Sequence, residues 1–196
     1  MHNAVYAYPT QARHGNMSPR QILAYNWRTM DSTPERPTSG SSRHLLRHTV
    51  ATLAYRGGKV LKGAPPGFAD YRAGDTTRAC GQILAHLGDL LDWALSQANG
   101  KQDWHDSTPL TWDEGTKRFF ASIKALDDYL ASDAPLSCTP EKLFQGAIAD
   151  SLTHVGQLAI LRRLAGAPIR GENYAQAEIV AGRVSTQQTP PRREFD

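Results

Sequence analysis

Apolar residues recur every three or four positions along four long stretches of this chain, and turn-forming residues separate the stretches. Leu46, Val50, Leu53, Gly57, Val60 and Leu61 make one stripe, which predicts a helix from a cap at Ser41-Ser42 to about Lys62. The run Gly63-Ala64-Pro65-Pro66-Gly67 stops it. Ile83, Leu84, Leu87, Leu90, Leu91 and Ala94 predict a second helix, capped by Asp75 and ending near Asn99-Gly100. In the third, Thr111 and Glu114 have the spacing of a capping box, and Trp112, Thr116, Phe119, Ile123, Leu126 and Leu130 follow at helical intervals. Asp133-Ala134-Pro135 ends it. The fourth begins at Thr139-Pro140-Glu141, with proline where its missing N–H does no harm, and runs to Gly166-Ala167-Pro168. No stretch alternates as a strand does, so the pattern predicts an all-α four-helix bundle over residues 41–184.

The ends read differently. Residues 1–40 are rich in Pro, Ser, Thr, Arg and Asn, and predict an irregular arm, with a short helix near Pro19 to Met30. A second short helix is expected around Ala175 to Ala181, and residues 185–196 read as a flexible tail. With 196 residues, 40% hydrophobic and 21% charged, the chain has material for one soluble domain. The net charge of +3 sits largely near the ends, without a basic stripe interleaved with aromatics, so no nucleic-acid partner is expected. No apolar run reaches the length of a membrane span, and the first residues lack the pattern of a secretion signal. Cys80 and Cys138 have no metal or redox spacing. These features together lead us to expect a cytoplasmic protein.

Chemistry concentrates in Asp150-Ser151-Leu152-Thr153-His154-Val155-Gly156-Gln157, within the fourth helix. A carboxylate and an imidazole four residues apart project from adjacent turns toward one point, a pair of ligands for a divalent metal. They stand on the inner edge of the stripe made by Leu143, Phe144, Ala147, Val155, Leu158, Leu161 and Ala165, where an unpaired carboxylate would need a compensating charge. The same spacing also suits a salt bridge, or a hydrogen bond to Ser151 or Thr153. A third ligand is expected from His86, on the flank of the second helix's stripe, with Asp89 and Gln157 as candidates to orient the ligands, the alternatives being an ordinary solvated aspartate and a helix-bridging hydrogen bond. His44 and His48 form the rival pair, but face away from their helix's apolar stripe. His105 is expected on a surface loop. Tyr55, Arg56 and Arg162 or Arg163 are candidate clamps for an anionic substrate, although arginines on bundle helices also make ordinary ion pairs.

At His86, at Asp150 and His154 with the following Gly156-Gln157, and at Gly171-Glu172-Asn173-Tyr174, the chain resembles the DinB/YfiT-like four-helix-bundle metalloproteins over roughly Arg43 to Val184. A carboxylate at the first position of the pair is similar to the related mycothiol-dependent maleylpyruvate isomerases. The resemblance implies one divalent ion, Zn, Ni, Fe or Mn, held by His86, Asp150 and His154 with open positions. It implies a low-molecular-weight thiol partner and a transferase or isomerase activity, in a chain that could form a homodimer. A non-catalytic metal-binding or scaffold protein and a metal-dependent hydrolase are the alternatives.

Overall fold

The computed structural model describes residues 39–195, so the arm and its short helix, apart from its last two residues, lie outside the described residues. What is described is mostly helical. Helix α1 (Ser39–Leu61) begins two residues before the expected cap, and buries Leu46, Val50, Leu53, Gly57, Val60 and Leu61, the stripe read from the sequence. Gly63, at φ 64°, turns the chain out of the helix in a conformation that a side chain would oppose. Helix α2 (Cys80–Ala98) starts four residues later than expected. Asp75 does not cap it, because Thr77 closes a local turn on Gly74, its Oγ1 accepting from the Gly74 N–H at 3.2 Å. Such side-chain turns compete with helix initiation. Helix entry falls instead to Ala79, whose N–H donates to Gln82 Oε1 at 2.8 Å.

Helix α3 (Trp112–Ala131) has the expected capping box: the Glu114 N–H donates to Thr111 Oγ1, and the Thr111 N–H to Glu114 Oε2, both at 3.3 Å. The fourth rod is one run of three pieces, α4 (Pro140–Leu143), a π turn (Phe144–Ile148) and α5 (Ala149–Leu164). The kink falls at Gly146, whose ψ of −108° lies outside the helical range. Helix α3 packs on α1 and α2, and α5 packs on the same two from the other side. Phe119, Leu53, Leu87, Leu91, Ile123, Leu126, Leu143, Ile148 and Leu158 fill the space between them.

Two stretches after α5 depart from the reading of the sequence. The helix expected around Ala175 to Ala181 is only a 3-10 turn, Tyr174–Gln176. Residues 185–195, expected as a flexible tail, are tied to the rest: β2 (Glu194–Phe195) pairs antiparallel with β1 (Gly171–Glu172), and Lys59 Nζ on α1 bridges Glu172 at 2.8 Å and Glu194 at 2.7 Å. Composition marked this segment as polar, but a long-range ion pair leaves no local trace in sequence.

Two glycines give opposite expectations. A Cβ at Gly57 would stand 2.6 Å from the ring of fully buried Phe119, whereas at Gly156, exposed on α5, it would meet nothing within 4 Å. Gly57→Val is therefore expected to destabilise by about 1–3 kcal/mol through overpacking. Gly156→Ala is expected to stabilise by roughly 0.5–1 kcal/mol, through helix propensity alone. Chemical denaturation of the two variants checks both signs. A neutral Gly57→Val would mean that α1 and α3 are not in this contact.

Candidate metal centre

Helix α2 carries His86, and the first turns of α5 carry Asp150 and His154; the packing of these two helices brings the three together. Asp150 Oδ1 stands 3.5 Å from His154 Nε2, and Oδ2 stands 3.9 Å from His86 Nε2. The imidazole rings meet edge to face with centroids 4.8 Å apart. One ligand atom from each residue lies within 4.8 Å of the others. Ligands bound at about 2.1 Å to a common tetrahedral centre stand about 3.4 Å apart, so a contraction of no more than roughly 1.5 Å along the widest edge suffices. The donor set, two nitrogens and a carboxylate, suits a borderline divalent ion.

The hydrogen bonding of His154 favours the same use. Its Nδ1 faces Gln157 Oε1 at 2.9 Å, one turn on. With that oxygen accepting, Nδ1 carries the proton and Nε2, the atom facing Asp150, keeps its lone pair. His86 is held below the ordinary imidazole range, first by burial and then by the neighbouring His154 and Arg78, which outweigh Asp150 and Asp89. It is therefore neutral at physiological pH, the state a metal ligand needs. Trp104, from the loop between α2 and α3, sets its ring edge-on to His86 at 5.7 Å and to Trp93 at 5.7 Å, roofing one side of the site.

The expectation for Asp150 needs one correction. Its side chain is 49% exposed, against 19% for His86 and 12% for His154, so it lies on the rim and not against the core. Water can solvate it, and the argument that burial demands a compensating ion does not hold. What remains is its position between two imidazoles.

Asp89 belongs to a second cluster. Burial pushes its carboxyl up, but Ser107 and the Arg118 guanidinium more than offset this and hold it below the usual range. Arg118 Nη2 donates to Asp89 at 2.6 Å and to Asp92 at 2.8 Å, and the Ser107 N–H donates to Asp89 at 2.9 Å. His105 Nε2 comes within 3.2 Å of Asp89. Asp89, Asp92 and His105 also have metal-like spacing, but the guanidinium already occupies the place of the cation. The carboxylate that was a candidate to orient His86 instead anchors the loop bearing Trp104, and His105 is exposed on that loop, as expected. A Cβ at Gly88 would stand 2.8 Å from the Arg118 guanidinium carbon, which marks how closely that arginine lies on α2.

The expected substrate clamps are used elsewhere. Arg162 is buried and gives its donors to the carbonyls of Val60, Lys62, Gly63 and Ala167 at 2.8–3.0 Å, binding the end of α1 to the end of α5. Charge-assisted bonds of this kind contribute about 1.5–3 kcal/mol each, so this guanidinium is a structural tie and not an anion clamp. Tyr55 is buried and donates to Glu172 at 2.7 Å; burial first, and then this bond, raise its phenol well above the ordinary range. Arg56 lies over the Tyr174 ring at 4.4 Å. None of the three lines a cleft that borders His86, Asp150 or His154. His44 and His48 are exposed on α1. Cys80 is buried, its thiol pushed up to about 11, and offers no thiolate at neutral pH. Trp104, Arg118 and Arg78 were missed in sequence, since the α2–α3 loop, the packing of α3 on α2 and the approach to α2 bring them to the site.

No family model, curated protein or solved structure matches this chain.

The depressed His86 has a consequence for stability. Protons bind the unfolded imidazole, near its ordinary value of about 6.5, more readily than the folded one, so stability rises with pH just below that value and is lost on acidification through the folded titration point. Metal-free protein should lose stability below roughly pH 6.5, and His86→Gln should flatten that part of the profile. Titration of the ring resonances by NMR should place His86 below the ordinary midpoint. A midpoint above it would show that Asp150 dominates the environment.

Proposed function

We propose that the chain is a DinB-like metalloprotein that holds one divalent ion, of the Zn, Ni, Fe or Mn kind, through His86, Asp150 and His154, and that it uses this centre in thiol-dependent transfer or isomerisation. The observation that carries the reading is the convergence of three donors from two helices, with Gln157 holding the tautomer that leaves His154 Nε2 free. The resemblance at His86, at the Asp150/His154 pair and at Gly156-Gln157 adds the reaction class. The bound ion would supply Lewis-acid activation of a thiol or a substrate oxygen.

Three side chains leave coordination positions open, and the surroundings give them access. Asp150 borders a cleft of about 410 Å³ with Leu90, Trp93 and Gly146. His154 borders one of about 460 Å³, and His86 one of about 180 Å³. Asp150 holds its charge at the solvent rim, while the two imidazoles form the drier wall. Trp104 stands edge-on to His86 beside this wall, and Trp93 stands next to Trp104. Gln157 orients His154, and its amide nitrogen remains to donate to a bound oxygen. A closed four-ligand centre would be structural; an open three-ligand one suits chemistry.

Protein purified without chelators and loaded with Zn or Ni should hold about one ion per chain. His154→Ala should abolish this, and Asp150→Ala should lower it with the fold retained. Gln157→Leu should weaken affinity by about 10–100-fold, the usual effect of losing an orienting partner. Asp92→Asn, in the cluster already neutralised by Arg118, should leave the content unchanged. Metal analysis and calorimetry read these outcomes, and consumption of an unsaturated keto acid with small thiols reads the activity. Undiminished binding by His154→Ala would overturn the centre, whereas metal without thiol-dependent turnover would leave a binding protein.

A further inference from the structure

The cleft beside His154 has a shape of its own. His154, Gln157, Ile160, Leu161 and Leu164 follow one another at intervals of three, three, one and three residues, so they line one face of α5 for about 15 Å. Ile83 of α2 and the approach to α2, Ala73 to Arg78, form the opposite wall. Ile160 is 63% exposed and Leu164 57%, although both stand beside buried Leu161. Two large aliphatic side chains open to water at one end of a groove, with the His154 imidazole at the other, suggest a bound apolar chain more than a solvated helix face.

Arg78 stands at the mouth. It lines both this groove and the smaller cleft of His86, and makes no hydrogen bond or ion pair among the described residues. Asp106 shares the smaller cleft without pairing with it, and Asp89, the other acid there, is taken by Arg118. The neighbouring Arg72 is turned to the Thr77 carbonyl at 2.8 Å and does not compete. An unpaired guanidinium is a planar fork whose geometry matches a carboxylate with two parallel bonds.

We propose that this groove binds a small carboxylic acid, with its head on Arg78 beside His86 and His154 and its aliphatic body along Ile83, Ile160 and Leu164. The proposal deepens the metal-centre reading by naming the substrate class of that site. It rests on that reading only for the chemistry, because the groove and the guanidinium need no ion. Arg78 is then a specificity-determining residue: it would place the acid's carbon skeleton against the open side of the centre.

The test uses the full chain in two forms, stripped with chelator and reloaded with Zn, and octanoate as probe, with octanol and octyl phosphate as controls. Octanoate should bind both forms, shifting the NMR signals of Ile160 and Leu164. Arg78→Gln should weaken it by about tenfold or more, as loss of one charge-assisted pair does, and Arg78→Lys by less. Octanol should bind more weakly and be indifferent to either substitution. Ile160→Glu, a change at an exposed position, should abolish binding by placing a charge in the groove. Equal affinity of Arg78→Gln and the parent would overturn the proposal, as would binding seen only with Zn present, which would put the head on the ion. Tighter binding of octyl phosphate would overturn the assignment to carboxylates. Metal content measured on the same samples separates these results from failure of the metal centre.

Discussion

Burial of one face of α5 against both α1 and α2 sets the rest of the molecule. Ser151, Val155, Leu158 and Leu161 line that face, and Leu143, Ala147 and Ile148 extend it back through the kink. Ser151 can sit in the core because its hydroxyl donates to the Ala147 carbonyl at 2.7 Å and is thereby satisfied. With these residues inside, the 100° step of the helix puts Asp150, His154 and Gln157 on the flank turned toward α2. The Arg162 guanidinium then locks the far end of α5 to the last carbonyls of α1. Rotation or sliding of this rod would break the core and the tie together, and the position of the two ligands therefore inherits the rigidity of the packing.

Electrostatics separates two clusters that look alike by composition. Asp89, Asp92 and His105 lie around Arg118, which satisfies both carboxylates and fastens the loop between α2 and α3. His86, Asp150 and His154 have no such resident cation among the described residues, and one imidazole is kept neutral by burial. The first cluster is a structural ion-pair network that positions Trp104. The second keeps free lone pairs at a rim with open clefts, the condition for binding something from solution. The two work in sequence, since the roof over His86 stands where Asp89 and Arg118 hold its loop.

A third network does similar work on the opposite side of α1. The Glu172 carboxylate, withdrawn from solvent, accepts from the Tyr55 hydroxyl and from Lys59, and Lys59 reaches on to Glu194. A buried charge of this kind is tolerable only when fully paired, and its pairing draws residues 171–195 onto the bundle. Tyr55 takes part in this docking, and Arg56 lies over the Tyr174 ring beside it.

The spacing of apolar residues determined by itself that the chain makes four helices, and the Thr111/Glu114 and Thr139-Pro140 signals placed two of their starts, because caps and periodicity are local and report on a few neighbouring residues. The i, i+4 relation of Asp150 and His154 was legible for the same reason. Their junction with His86 was not, since it depends on which helix α5 lies against and at what rotation. Tertiary structure alone decided that Asp150 is on the rim, that Arg162 and Asp89 are consumed by structural bonds, and that Arg78 is left without a partner. Each of those outcomes is a competition among distant groups for the same donor or carboxylate. It is settled by three-dimensional proximity, for which neighbours along the chain carry no signal.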